Sequence, residues 1–156
     1  YSEFDLKNMV FKLVDDMRRE AVRKGLVLKA SSKIEVGSKV KADIGKTRQV
    51  IQNLIDNAMK YTKKGTIEVV VRDQAKPKKI FVDVVDTGIG MDPTAIETLF
   101  DKFERAHNAN EVNVTGTGLG LYIARKMAED MGGSVSAHSE GEGEGSVFTI
   151  ELPLKG

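Results

Sequence analysis

Apolar residues recur with a helical period in three stretches of the chain. Leu6, Val10, Leu13, Val14, Met17 and Ala21 lie three or four apart, so Phe4 to Lys24 is predicted to be a helix, with Asp5 as its cap and Gly25 as its stop. A second helix is predicted over Lys46–Thr62 and ends at Lys63-Lys64-Gly65. Leu119–Met131 is the third, with Leu119, Ile123, Met127 and Met131 on one side and Gly132-Gly133 after it. Strand signals fill the gaps. Leu26–Ala30 and Val40–Ile44 are short candidates joined by a Ser/Gly-containing turn, and Thr66–Arg72 and Lys79–Asp86 read as a hairpin about the Lys/Pro turn at Ala75–Lys78. Ser134–His138 and Ser146–Leu152 close the chain around a Gly/Glu turn. Pro93 opens a short helix through Leu99, and Ala106–Thr117, rich in Asn and Gly, reads as a mobile loop. The economical architecture is an α+β two-layer sandwich: a mixed, mostly antiparallel sheet with helices packed on one face.

Within the second helix the polar positions are as ordered as the apolar ones. Asn53, Asn57 and Lys60 project from one side, and Val50, Ile51, Leu54, Ile55, Ala58 and Met59 centre on the other, roughly 150° away. Asparagine is a mediocre helix former. Two on one stripe with a lysine a turn later fit amides and a cation aimed at phosphate oxygens and a hard metal ion, or an ordinary solvated face.

Composition narrows the classes. The chain has 156 residues, 40% apolar and 30% charged, enough for one domain with a real core. Its net charge of +1 is spread along the sequence without a basic block, which argues against nucleic acid or an anionic membrane as partner. No apolar run approaches the roughly 18 residues of a membrane span, and no signal peptide opens the chain. Cysteine is absent, which excludes disulfides and thiolate metal sites and fits a reducing, cytoplasmic setting. The start in amphipathic helix and the end just after a strand suggest a piece of something longer, whose membrane anchorage stays open.

Three further segments carry candidate chemistry. Asp86-Thr-Gly88-Ile-Gly90 follows a strand whose Val82 and Val84 share a face with Asp86, so that face should be buried with the carboxylate at its rim. Burial there is costly unless donors meet it; a plain Asp-Gly turn is the alternative. Gly116-Thr117-Gly118-Leu119-Gly120 opens the third helix, where backbone N–H groups and helix polarity favour polyphosphate. It is neither a P-loop nor a dinucleotide fingerprint. Leu99-Phe-Asp-Lys-Phe-Glu-Arg105 carries Phe100 and Phe103 three apart, with Arg105 at the loop's start as a solvated charge or a phosphate ligand.

In this order the four segments resemble the N, G1, F and G2 boxes of the catalytic ATP-binding domain of two-component sensor histidine kinases, a Bergerat-fold group that also includes gyrase-type ATPases and pyruvate dehydrogenase kinase. The resemblance runs from about Phe4 to Pro153, so residues 1–156 are expected to form a single such domain with a lid at about 101–117. The resemblance implies ATP and Mg2+ as ligands. It implies Asn57 as the metal ligand, Lys60 as a phosphate contact, Tyr61 as a wall of the adenosine pocket and Asp86 as acceptor of the adenine amino hydrogen. Gly88, Gly90 and Met91 match the pocket wall, with Phe103 and Arg105 at the lid and Arg105 implicated in γ-phosphate transfer. Gly116, Gly118 and Gly120 match the phosphate-side turn, with Thr117, Leu119 and Leu121 beside them.

Position 53 separates kinase from hydrolase within that resemblance. Gyrase-type ATPases and pyruvate dehydrogenase kinase carry a glutamate general base four residues before the metal-binding asparagine. Here Asn53 stands instead, and an amide cannot take a proton near neutral pH. Losing a positioned base typically costs ~10²–10⁴ in rate, whereas a neutral imidazole acceptor already offers a lone pair. Asp56 projects about 100° away from Asn57 and reads as a helix-face residue. The resemblance therefore implies donation of the γ-phosphoryl group to a histidine, with Asn57, Lys60 and Arg105 as the catalytic set. Neither His107 nor His138 sits in an acceptor context, so both read as surface or structural. The expected partner is the dimerisation and histidine-phosphoacceptor domain of the same kinase, with a response regulator served indirectly and the isolated domain monomeric. A stand-alone ATPase and a nucleotide-gated interaction module are the competing readings.

Overall fold

The computed structural model describes residues 1–62, 64–87, 117–139 and 145–154. Helix α1 (Leu6–Arg23) is capped by Asp5, whose carboxylate accepts from the Asn8 N–H. The sequence reading began this helix at Phe4. Instead Ser2–Asp5 forms a short strand, β1, antiparallel to β3 (Lys39–Ala42), with Phe4 opposite Val40. Ser38 reinforces the corner by donating from Oγ to Asp5 Oδ1 at 2.8 Å.

The main sheet has five strands in the order β2-β4-β5-β7-β6: Leu26–Lys33, Gly65–Ala75, Lys78–Asp86, Ser146–Pro153 and Ser134–His138. Only β2 and β4 are parallel. The expected hairpin about residues 75–78 is present, and so is the closing pair. The segments after α1 differ from a simple strand-turn-strand unit. Both form strands, but β2 joins the five-stranded sheet and β3 the ribbon with β1. The connection between them winds round Asp73, which accepts from the N–H groups of Glu35, Val36 and Gly37.

One face of the sheet is apolar except at the end that carries Asp86 and Ser146. Ile67, Val69, Val71, Ile80, Val82, Val84, Phe148 and Ile150 are all buried there at 0% exposure. The helices cover this face. α1 lies against β2 and β4, α2 (Ile44–Tyr61) against β4, β5 and β7, and α3 (Thr117–Asp130) against α2, β6 and β7. Each core Leu or Ile so covered contributes about 1.5–3 kcal/mol. α2 begins two residues earlier than its apolar period suggested, because Asp43 caps it by accepting from the Lys46 N–H at 2.9 Å. From Tyr122 onward the buried side chains of α3 are Ala124 and Ala128, with Met131 buried just after its end, while Ile123 and Met127 are half-buried. Of the expected stripe, Met131 is buried beside Thr47 of α2 and Met127 packs partly against the core, with Ala124 and Ala128 buried as well.

The opposite sheet face is half-exposed and polar. Arg72 pairs with Asp83 at 2.5 Å and lies 4.1 Å over the Phe81 ring, and Lys79 pairs with Glu151 at 2.8 Å. The edge strand β2 is closed from its own side: Arg18, paired with Asp15, donates from Nε to the Leu28 carbonyl at 3.3 Å. Among the described residues, no helix is long and apolar enough to cross a membrane.

At Asp73 desolvation raises the pKa, but the three N–H donors outweigh it and hold the carboxyl below its ordinary value. For Glu151 the Lys79 hydrogen bond does the same, against desolvation. A depressed folded-state pKa stabilises above the unfolded value, near 4, and that stability is lost as pH falls through the folded value. Thermal melts are therefore expected to show stability falling below about pH 4, with Asp73→Asn and Glu151→Gln each melting lower than the parent at neutral pH and losing less on acidification.

Candidate functional site

β5 is the central strand, and its last residue is Asp86. Strand alternation puts Asp86 on the same face as Ile80, Val82 and Val84, and it is 3% exposed, deeper than a rim position. β4 and β7 flank it, with Ile67 and Ser146 as its register partners. The Ser146 backbone N–H donates to Asp86 Oδ1 at 3.2 Å, one of the donors a buried carboxylate requires. This contact depends on Gly145. At φ 75, it brings its Cα so close that an added Cβ would stand 2.2 Å from the Asp86 carbonyl oxygen. Thr87 is fixed in turn: its N–H donates to the Thr66 carbonyl at 3.2 Å, and its Oγ1 accepts from the Thr66 N–H at 3.2 Å. Gly145 and Ser146 are site residues that sequence reading passed over. Their contribution is backbone, and no side-chain motif marks it.

α2 supplies the second half. Asn57 is 2% exposed, and both its amide nitrogen and its oxygen are buried without a hydrogen-bond partner. Sequence reading set Asn57 on the side opposite the apolar stripe. The helix is in fact buried over more than half its circumference, and Asn57 stands about 20° from Val50 around the helix axis, at the border of the buried arc. The polar stripe is graded from there, with Asn53 half-buried and Lys60, in the last turn, exposed. Asp56 is directed elsewhere. Partial desolvation and the charge of Glu20 raise its pKa, with Lys24 opposing, so its electrostatic neighbours belong to the end of α1.

A buried amide with no partner costs about 1–3 kcal/mol. An unmet carbonyl oxygen of this kind suits a hard cation that also takes water and phosphate oxygens. Among the described residues no group of three or more His, Cys, Asp or Glu side chains could hold a metal by itself. Asn57 Oδ1 thus fits a cation that arrives with a ligand rather than a protein cage.

The remaining expected site residues divide by place. Tyr61 ends α2, and Thr117, Gly118, Leu119, Gly120 and Leu121 open α3. Gly88, Gly90, Met91, Phe103, Arg105 and Gly116 lie outside the described residues, as do the short helix at 93–99, His107 and nearly all of the lid. His138 ends β6 and is exposed.

Residues 42–156 match the histidine kinase-, DNA gyrase B- and HSP90-like ATPase family, and the chain belongs to it. It is 34% identical over 157 residues to Two-component system protein A of Emericella nidulans, across 97% of this chain and 23% of that protein. It is also 34% identical over 154 residues to the signal transduction histidine-protein kinase BarA of Escherichia coli, across 97% and 17%. With the sensor protein SrrB of Staphylococcus aureus it shares 39% identity over 111 residues, across 71% and 19%. The chain therefore spans less than a quarter of the length of these curated relatives. Among solved structures, the catalytic domain of the histidine kinase ThkA matches with a TM-score of 0.79 at 27% identity, covering 97% of this chain and 94% of that one. Full-length ShkA in complex with AMPPNP matches with a TM-score of 0.80 at 27% identity, covering 97% and 30%. The fold is that of histidine kinase catalytic domains.

Gly145→Ala is expected to destabilise the chain by about 1–3 kcal/mol, through strain at positive φ and the clash with the Asp86 backbone. Urea unfolding measures this. A variant as stable as the parent would show that Asp86 is not pinned by this approach.

Proposed function

We propose that the chain is the ATP-binding catalytic domain of a two-component histidine kinase, which binds Mg-ATP and donates its γ-phosphoryl group to a histidine on a dimerisation and phosphoacceptor domain of the same kinase. Residues 1–156 then form one domain, with residues at about 101–117 as its lid. The observation that carries the reading is the partnerless buried amide of Asn57, on a helix buried mainly through apolar side chains.

The burial of Asn57 and Asp86 and the resemblance of the four segments support the following roles. Asp86, oriented by the Ser146 N–H, accepts the adenine amino hydrogen, with Tyr61, Gly88, Gly90 and Met91 around the base. Asn57 offers its amide oxygen to the metal, and Lys60 meets phosphate charge from the exposed end of the same helix. Mg2+, when bound, neutralises charge on the phosphate oxygens. The opening turn of α3, with Gly116, Thr117, Gly118, Leu119, Gly120 and Leu121, presents backbone N–H groups to the phosphates. Phe103 anchors the lid and Arg105 meets charge developing on the transferred group.

Water is left unactivated. Asn53 lacks a basic lone pair, and Asp56 is held among charges on α1. The incoming imidazole needs no base, so catalysis consists of positioning and charge stabilisation. A response regulator would receive the phosphoryl group afterwards, from the acceptor domain. The domain itself contacts neither nucleic acid nor membrane and is monomeric alone; its setting is cytoplasmic.

Calorimetry is expected to give ADP binding in the micromolar range or weaker, about −8 kcal/mol or less favourable, with Asp86→Asn weakening it about tenfold or more through loss of a charged acceptor. Retained affinity in that variant would remove the adenine assignment. With labelled ATP and a matched acceptor hairpin added in trans, the parent chain is expected to label the hairpin and Asn57→Asp is expected to lose the transfer. Steady turnover without any acceptor would mark a hydrolase instead.

A further inference from the structure

Among the described residues, Thr62, directly after α2, carries a second buried side chain without a hydrogen-bond partner near Asn57's helix. It is the C-cap residue, 1% exposed, and its N–H donates to the Ala58 carbonyl at 3.0 Å. Its hydroxyl is buried with no hydrogen-bond partner. Valine would fill the same volume without that penalty, so the hydroxyl is costly to the chain in its ligand-free form.

The surroundings say which part of the site this hydroxyl belongs to. β4 begins at Gly65, three residues after Thr62, and Ile67 of β4 is the register partner of Asp86. At Gly65, with φ 132, an added Cβ would stand 3.8 Å from Thr62 Cγ2 and 2.2 Å from Thr87 Oγ1. The end of α2, the start of β4 and the end of β5 therefore converge on a bare backbone. Thr66 and Thr87 satisfy each other's polar groups there. The Thr62 hydroxyl is left over, at the end of the molecule that holds the Asp86 carboxylate.

We infer that Thr62 is a positioning residue on the base side of the nucleotide site. When nucleotide is bound, its hydroxyl hydrogen-bonds the base edge beside Asp86, directly or through one ordered water. This rests on the nucleotide reading proposed above.

Thr62→Val and Thr62→Ser separate this role from a structural one. ADP titrations are expected to show affinity about five- to tenfold weaker for Thr62→Val and within about twofold of the parent for Thr62→Ser. Without nucleotide, Thr62→Val is expected to melt at or above the parent temperature, because it removes an unmatched polar atom. A Thr62→Val variant that binds ADP as the parent does overturns the inference. So does one that melts lower without ligand, since its hydroxyl would then serve the fold. A folded parent chain that binds no ADP overturns the nucleotide reading itself and this inference with it.

Discussion

A carboxylate cannot rest on the buried face of a strand unless something donates to it, and that need ties the sheet to the site. Asp86 meets it through the Ser146 N–H, which is available only while β7 keeps its register beside β5. Because strand side chains alternate, a slip of one residue would turn Val85 inward and carry Asp86 to the polar face. The packing of Ile80, Val82 and Val84 under the helices therefore fixes where the carboxylate stands. Core and site are consequences of one alignment, and Gly145 marks the spot where the chain must come closest to hold it.

α2 shows a complementary logic. Its apolar residues secure the helix against sheet and neighbours, and the helix is buried widely enough to draw Asn57 in with them. The residue sits where the buried arc meets the solvated side, so its amide is dehydrated yet close to the surface. On the same stripe Asn53, one turn before it, is half-buried and Lys60, in the last turn, is exposed. The buried amide thus lies between a half-buried amide one turn before it and an exposed cation one turn after it, an arrangement suited to a ligand that enters from solvent with charge at one end.

The sequence made much of this legible. The periods of α1, α2 and α3 and the hairpin about residues 75–78 were readable because each is a local pattern. β1 was not, since Phe4 is the only strongly apolar residue in Ser2–Asp5 and a helix follows at once. The parallel pairing of β2 with β4 joins segments separated by all of α2, and no local signal encodes it. On α3 the apolar period marks Ile123 and Met127, which are half-buried, while Ala124 and Ala128, too small to stand out in the pattern, are fully buried. For the site, Asn57, Lys60 and Asp86 stood out as residue types in unusual places. Asn57's burial did not, because a helical wheel assumes one contact face where α2 has several. Ser146 could not be found from its side chain, since every residue except proline has the N–H it uses.

The salt-bridged Arg18 laid across the Leu28 carbonyl has a consequence for how this chain tolerates company. An exposed strand flank is ordinarily a template on which another molecule can zip itself. Here that flank is stoppered by a guanidinium from the adjoining helix, so an intruder must first evict a resident donor. At Leu28, then, a strand arriving from solvent would have to displace Arg18 before it could pair.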